Sequence, residues 1–94
     1  MHTFCWIIDS SHGWLKVPIR IVKAVKFAPS EFSYWHQGQA YLEEDCDGPN
    51  FLKVCDKIGL DYYVSSDPEY YDDWIGKEKY PRWPHHFLQE EMKR

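Results

Sequence analysis

The sequence predicts a small α+β domain, a ferredoxin-like antiparallel sheet with two helices on one face and an irregular C-terminal extension. Two observations carry this prediction. Short β-branched and aromatic runs alternate with two amphipathic segments, and a Gln37-Gly38 pair separates the two central runs. The resulting order, β-α-β-β-α-β, is that of a split βαβ sandwich.

The first strand is predicted over residues 3–9, because this run is short, β-branched or aromatic, and almost continuously apolar. Residues 10–13 follow as a turn. The first helix is predicted over residues 17–25, where Pro18 suits the first turn and apolar side chains recur at helical spacing. The β-branched content of this segment leaves a strand open as the alternative.

A central hairpin is predicted from residues 31–36 and 39–44, with Gly38 supplying a positive φ at the turn. The second helix then begins at Asp47, which suits an N-cap, and ends at Gly59, which suits the C′ position.

The last predicted strand covers residues 60–65 and completes a core over residues 3–65. Residues 66–94 differ in character, because prolines, acids and aromatics dominate them, and we expect a C-terminal extension there. Residues 85–94 suit either a short terminal helix or a frayed end. The whole chain, residues 1–94, has the length of a single domain.

The composition excludes some classes of function. A formal net charge of −4 argues against a non-specific nucleic-acid binder, which needs a basic footprint, and favours a partner with a basic surface. Aromatic residues reach 18 %, more than a small core absorbs, so some rings are expected to contact a partner. Three cysteines, no apparent leader and no membrane-length apolar run predict a reduced cytoplasmic chain.

Two acidic clusters are the predicted partner-binding sites. The first closes the central hairpin, and its alternatives are a solvated strand end or a divalent-cation site. The second, interleaved with aromatic rings, follows the last strand, and its alternative is an ordinary polar loop. The predicted contact residues are Glu43, Glu44, Asp45, Asp47, Glu69, Tyr70, Asp72, Asp73 and Trp74.

No catalytic residue, cofactor or metal ligand is predicted, because nucleophile elbows, Gly-rich phosphate loops and zinc-ligand spacings are absent from the sequence. His12 with Cys46 and the nearby acids is the alternative metal site. Cys55 suits a small apolar core position. A basic stripe is expected to be a solvated helix face, and it consists of Lys16, Arg20, Lys23 and Lys26.

Two segments carry a resemblance: residues 11–18, Ser-His-Gly-Trp-Leu-Lys-Val-Pro, and residues 41–47, Tyr-Leu-Glu-Glu-Asp-Cys-Asp. The chain resembles small uncharacterised proteins of bacteria, plasmids and phages over roughly residues 3–58. This resemblance implies a mobile-element setting, in which small acidic proteins are often anti-CRISPR or anti-restriction inhibitors. It implies no catalytic residue.

The sequence therefore predicts a non-enzymatic protein-binding domain, of which an inhibitor of a host defence nuclease complex is the most specific form. Two alternatives stay open. One is a metal-binding regulator or small metal-dependent enzyme, and the other is a homodimeric scaffold in which a sheet edge pairs across a two-fold axis.

Overall fold

The structure, a computed structural model, describes residues 1–71 and confirms an α+β domain with a mixed six-stranded sheet and two helices. The strand order is β3-β4-β2-β1-β5, and β6 pairs with β1 beyond this path. The elements are β1 (His2–Ile8), β2 (Gly13–Pro18), α1 (Ile19–Ala24), β3 (Tyr34–His36), β4 (Gln39–Glu43), α2 (Asp47–Ile58), β5 (Tyr62–Val64) and β6 (Glu69–Tyr70).

The ferredoxin-like order is not confirmed, because β2 lies where the sequence predicted the end of a turn and the start of a helix. The side chain of Asp9 explains the extra strand. Its Oδ1 accepts the backbone N–H groups of Ser11 and His12 at 2.8 and 2.7 Å, and its own N–H donates to the His12 carbonyl at 2.9 Å. These bonds close a tight hairpin, so the chain returns antiparallel beside β1 instead of crossing over it.

The sheet is also not purely antiparallel. Strands β5 and β6 both pair with β1 in the parallel direction, at opposite ends of that strand. The predicted last strand is confirmed in the shorter form of β5, and the start of the predicted extension supplies β6. The predicted terminal helix at residues 85–94 lies outside the described residues.

The first helix is shorter than predicted and begins after Pro18, which ends β2 and precedes the first helical residue. Lys16 belongs to the strand, opposite Tyr41 of β4, so the predicted basic stripe does not lie on one helix. Val17 and Pro18, the first two residues of the predicted helix, thus took the strand alternative, whereas residues 19–24 are helical.

Both helices pack on one face of the sheet, here called the first face. Its core joins side chains of five elements, namely Phe4, Leu15, Val17, Ile21, Val22, Ala40, Leu42, Phe51 and Cys55. The opposite, second face carries a smaller buried cluster of Ile7, Trp14 and Tyr41, with Tyr34 against it. Successive residues of a strand point to opposite faces, which separates Trp14 from Leu15 and Tyr41 from Leu42. None of the helices within residues 1–71 has the length and apolar character needed to cross a membrane.

The predicted central turn is confirmed. Gln37 and Gly38 both have positive φ, 48° and 80°, which is the pattern of a type I′ hairpin turn. The Gly38 carbonyl accepts the backbone N–H of Ile19 at 2.8 Å, so this turn also receives the start of α1.

Both helices end in the same hydrogen-bonded motif. In α2 the φ of Gly59 is 76°, as the sequence predicted, and the Leu60 N–H donates to the Cys55 carbonyl at 2.9 Å. In α1 the equivalent left-handed residue is Lys26, with φ 59°, and the Phe27 N–H donates to the Val22 carbonyl at 3.2 Å. The side chain of Lys26 therefore makes the end of α1 the more strained of the two.

Helix α2 is tied to β5 by a side-chain hydrogen bond. The Tyr62 hydroxyl donates to Asp56 Oδ1 at 2.6 Å. This bond, burial and the negative charge of Asp56 together raise the pKa of Tyr62 to about 12. On the core side of the same helix, Cys55 is fully buried in the core of the first face, which confirms it as an apolar core residue. This burial, with the charge of Asp56, raises the pKa of the Cys55 thiol to about 11.

We predict that Lys26→Gly raises the free energy of unfolding by about 0.5–1 kcal/mol, because glycine relieves the left-handed strain. Gly59→Ala should lower it by about 1–2 kcal/mol, since a Cβ there meets no neighbour within 4 Å and only the backbone conformation opposes it. Urea unfolding measures both. Lys26→Ala is the control for loss of the charge, and Lys26→Gly must be more stable than this control.

We also predict that the contribution of Tyr62 to stability falls at alkaline pH. Its pKa is raised in the folded state from 10.0 to about 12, so the contribution is complete below pH 10 and is lost as the pH rises towards 12. The free-energy difference between the wild type and Tyr62→Phe should shrink over this window. Asp56→Asn should return the pKa of Tyr62 towards 10, as read from phenolate absorbance, and Tyr63→Phe is the neighbouring control.

Candidate functional site

A cavity of about 470 Å³ lies at the second face of the sheet, between the β1–β2 turn and the start of α2. Four of its described lining residues are aromatic or imidazole rings, and two are carboxylates. Ser30 and Cys46 complete the described lining. Its volume falls within the ordinary range for ligand pockets.

The ring side of the cavity, here called the aromatic wall, consists of His12, Trp14, Phe32 and Tyr34. The Trp14 ring meets His12 edge to face at 5.9 Å between ring centroids and meets Tyr34 in the same way at 6.3 Å. Strand pairing explains the arrangement, because Trp14 of β2 and Tyr34 of β3 both lie on the second face, on either side of β4. Trp14 is only 3 % exposed, whereas Phe32 is 56 % exposed.

The acidic side of the cavity, here called the acidic rim, consists of Glu43 and Asp45. Glu43 is the last residue of β4 and lies directly opposite Trp14 in the strand register. Its Oε1 accepts the backbone N–H of Asp45 at 3.0 Å, which keeps the two residues together after the strand has ended. The rim therefore places negative charge beside the tryptophan-containing wall.

A buried carboxylate beneath the rim fixes the loop that carries Phe32. Asp47 Oδ2 accepts the backbone N–H and the hydroxyl of Ser30, both at 2.8 Å, and the hydroxyl of Ser33. The Ser33 oxygen in turn accepts the backbone N–H of Glu43 at 3.0 Å. This group of Asp47, Ser30 and Ser33, here called the Asp47 network, joins the α1–β3 loop to the end of β4 and the start of α2.

Asp47 is thus not the helix N-cap that the sequence predicted. Cys46 occupies that position without a side-chain capping bond, and Asp47 is the first helical residue. An acid in the first turn still stabilises the positive end of the helix dipole. Asp47, which the sequence predicted as a partner contact, is only 3 % exposed, and its carboxylate is bound by Ser30 and Ser33 inside the domain.

The remaining residue of the first acidic cluster points elsewhere. Glu44 lies beside Gly13, and its backbone N–H donates to the Gly13 carbonyl at 3.1 Å. A Cβ on Gly13 would lie 2.9 Å from Glu44 Oε2, so glycine leaves room for this carboxylate. Of the four predicted residues in the first cluster, the structure brings Glu43 and Asp45 to the cavity and separates Glu44 and Asp47 from it.

The second acidic cluster is described only at its beginning. Glu69 and Tyr70 form β6, where the Glu69 carboxylate accepts the Tyr71 hydroxyl at 3.0 Å and Tyr70 is 72 % exposed. Tyr70 and Tyr71 line a second, shallower cavity of about 330 Å³ with Ile8 and the β1–β2 turn. The predicted contacts of Asp72, Asp73 and Trp74 lie outside the described residues.

The alternative metal site was predicted around His12 and Cys46, and both residues line the first cavity. Within residues 1–71, however, no three His, Cys, Asp or Glu side chains are placed close enough to hold one metal ion. The three cysteines are free thiols, with Cys46 exposed and Cys55 buried.

Sequence reasoning missed the aromatic wall and the Asp47 network. The wall had a readable signal, because Trp14 and Lys16 alternate with Leu15 and Val17 in the manner of a strand. The network had none, since its hydroxyls lie 14 and 17 residues before the carboxylate that they bind.

Comparison of the chain with protein-family models, with curated proteins and with solved structures finds no match.

We predict that Asp47→Ala lowers the free energy of unfolding by about 3 kcal/mol or more, because three donors lose their acceptor. Ser33→Ala removes one of them and should cost about 1–2 kcal/mol. The exposed neighbour Asp45 is the matched control, and Asp45→Ala should change the stability by no more than about 0.5 kcal/mol. Urea unfolding of the three variants tests the network, and equal costs for Asp47→Ala and Asp45→Ala would contradict it.

Proposed function

We propose that this chain is a non-enzymatic protein-binding domain that contacts a basic surface of its partner through the acidic rim and the aromatic wall. The observation that carries the proposal is their convergence at one cavity, where Glu43 and Asp45 adjoin Trp14 and Tyr34. Aromatic anchors with neighbouring charges are the combination that dominates the energy of many protein interfaces. The net charge of −4 favours a basic partner through long-range attraction.

The hydroxyl groups of Ser30, which lines the cavity, and of Ser33, which lies in the Asp47 network, support a binding role over a catalytic one. The Ser30 hydroxyl donates a hydrogen bond to the Asp47 carboxylate, and the Ser30 oxygen accepts a hydrogen bond from the Phe32 N–H at 3.2 Å. Ser33 is engaged in the same network. A serine nucleophile needs a general base that accepts its proton and is itself oriented for transfer, usually a histidine. Here the acceptor is a buried structural carboxylate.

The most specific form of the proposal is an inhibitor of a host defence nuclease complex in the host cytoplasm. Its motive is the resemblance of residues 11–18 and 41–47 to proteins of plasmids and phages. Surfaces that hold nucleic acid are rich in Lys and Arg, so an acidic domain with exposed rings competes for them by charge and by stacking. The Glu69 and Tyr70 region offers a second contact to such a surface.

A metal-binding regulator is the second candidate, favoured by the presence of His12 and Cys46 at the same cavity. Elemental analysis of tag-free protein decides this candidate. Less than about 0.1 metal ion per chain, with no change on adding Zn²⁺, removes it, since structural zinc sites bind tightly.

Affinity capture from host lysate tests the main proposal. We predict that a partner retained by the wild type is lost with the double variant Glu43→Gln, Asp45→Asn, because the neutral isosteres keep the shape of the rim and remove its charge. The matched control is Asp61→Asn, Asp67→Asn, which neutralises two exposed carboxylates away from the cavity. Retention should fall with added salt, as expected for contacts between exposed charges.

The decisive readout is competition with nucleic acid. Double-stranded DNA added to the lysate should displace the captured partner from the wild type if both bind the same basic surface. The proposal is wrong if capture is equally strong with both double variants, or if no specific partner is retained at low salt.

A further inference from the structure

The cavity at the second face has the shape and charge to receive one kind of side chain, and we infer that it binds the guanidinium group of an arginine on the partner protein. This inference rests on the proposed function and names the group that is recognised. The composition of the chain does not distinguish an arginine pocket from a general acidic surface. The distinction rests on where the rings lie relative to the carboxylates.

The first argument is charge. Glu43 and Asp45 lie together on one side of the cavity, held by the 3.0 Å bond from the Asp45 N–H to Glu43 Oε1. Asp47 adds a third formal charge beneath them. Two neighbouring carboxylates suit a planar group with several N–H donors, because a guanidinium can bond both at once.

The second argument is the ring surface beside the rim. Trp14, Tyr34 and Phe32 line the cavity, and aromatic rings attract cations. Phe32 is 56 % exposed and is the ring most available to a cation, whereas Trp14, 3 % exposed, supports the wall from within. An arginine group is flat and weakly hydrated, so it stacks on such rings and leaves water at lower cost than an ammonium group. The wall therefore favours arginine over lysine, whereas the acidic rim alone would accept either.

The third argument is rigidity. Trp14 is almost fully buried and is held edge to face by His12 and Tyr34, and the Asp47 network fixes the loop that carries Phe32. A preformed pocket loses little conformational freedom when it is filled, which strengthens binding. The cavity of about 470 Å³ is large enough for an arginine side chain.

Titration of the full chain with three short peptides tests the inference. The peptides are acetylated and amidated, and they differ only in a central arginine, lysine or citrulline, the neutral isostere of arginine. Binding is followed by the indole N–H resonance of Trp14 in nuclear magnetic resonance spectra, assigned with Trp14→Phe. The arginine peptide should shift this resonance saturably and several-fold more tightly than the lysine peptide. The citrulline peptide should cause no saturable shift.

Variants of the pocket measure the contributions of the acidic rim and of the aromatic wall to the affinity for the arginine peptide. Asp45→Asn and Glu43→Gln should each weaken the arginine peptide about 3- to 5-fold, as expected for partly exposed ion pairs. Phe32→Leu should weaken it while Phe32→Tyr, which keeps a ring, should not, and the exposure of Phe32 makes both changes safe for folding. Asp61→Asn should have no effect.

Four results would overturn the inference. Equal affinities for the arginine and lysine peptides would reduce the site to a general acidic surface, and binding of the citrulline peptide would remove charge recognition. A change of the Trp14 resonance in the unliganded full-length variant Arg82→Gln, Arg94→Gln would assign the pocket to an arginine of this same chain. If the arginine peptide fails while the captured partner still depends on Glu43 and Asp45, the proposed function stands and the arginine pocket falls.

Discussion

The buried carboxylate of Asp47 is the interaction on which the rest of the site depends. Placing a carboxylate inside a small domain costs several kcal/mol unless hydrogen bonds replace the lost water. Ser30 and Ser33 supply these bonds, and the first turn of α2 adds the favourable end of its dipole. Because Ser33 also binds the Glu43 N–H, a single charge positions the loop, the end of β4 and the start of the helix together. These three segments contribute Ser30, Phe32, Glu43 and Cys46 to the lining of the cavity, beside His12 and Trp14 of the first hairpin.

The electrostatic potential at the cavity depends on the balance between its carboxylates and the dipole of α2. Glu43, Asp45 and Asp47 bring three formal negative charges to the start of α2, whereas a helix N-terminus offers the equivalent of about half a positive charge. The dipole therefore offsets only a fraction of the negative potential at the cavity. An anion, the usual ligand of a helix N-terminus, is disfavoured at this position, and a cation is favoured.

The sequence was sufficient to predict those parts of the fold whose signal lies in neighbouring residues. Gly38 and Gly59 mark backbone positions with positive φ, and the apolar spacing of α2 buries Phe51 and Cys55. It was insufficient for β2, because the predicted helix began at residue 17, whereas residues 13–16 pair with β1 and Val17 and Pro18 pair with β4. The Asp9 turn that forces this pairing resembles an ordinary polar loop in the sequence. The Asp47 network depends on side chains far apart along the chain, so no window of sequence could reveal it.

The misassigned strand and the missed cavity have one cause. With a helix starting at residue 17, Trp14 would lie in a loop and its ring would have no fixed neighbours. The Asp9 hairpin instead places Trp14 in β2, opposite Ile7 on one side and Glu43 on the other. A tryptophan in the centre of a sheet is held by two neighbouring strands, and its carboxylate neighbour is set by the register. The extra strand that departs from the predicted fold is therefore also the element that brings the acidic rim and the aromatic wall together.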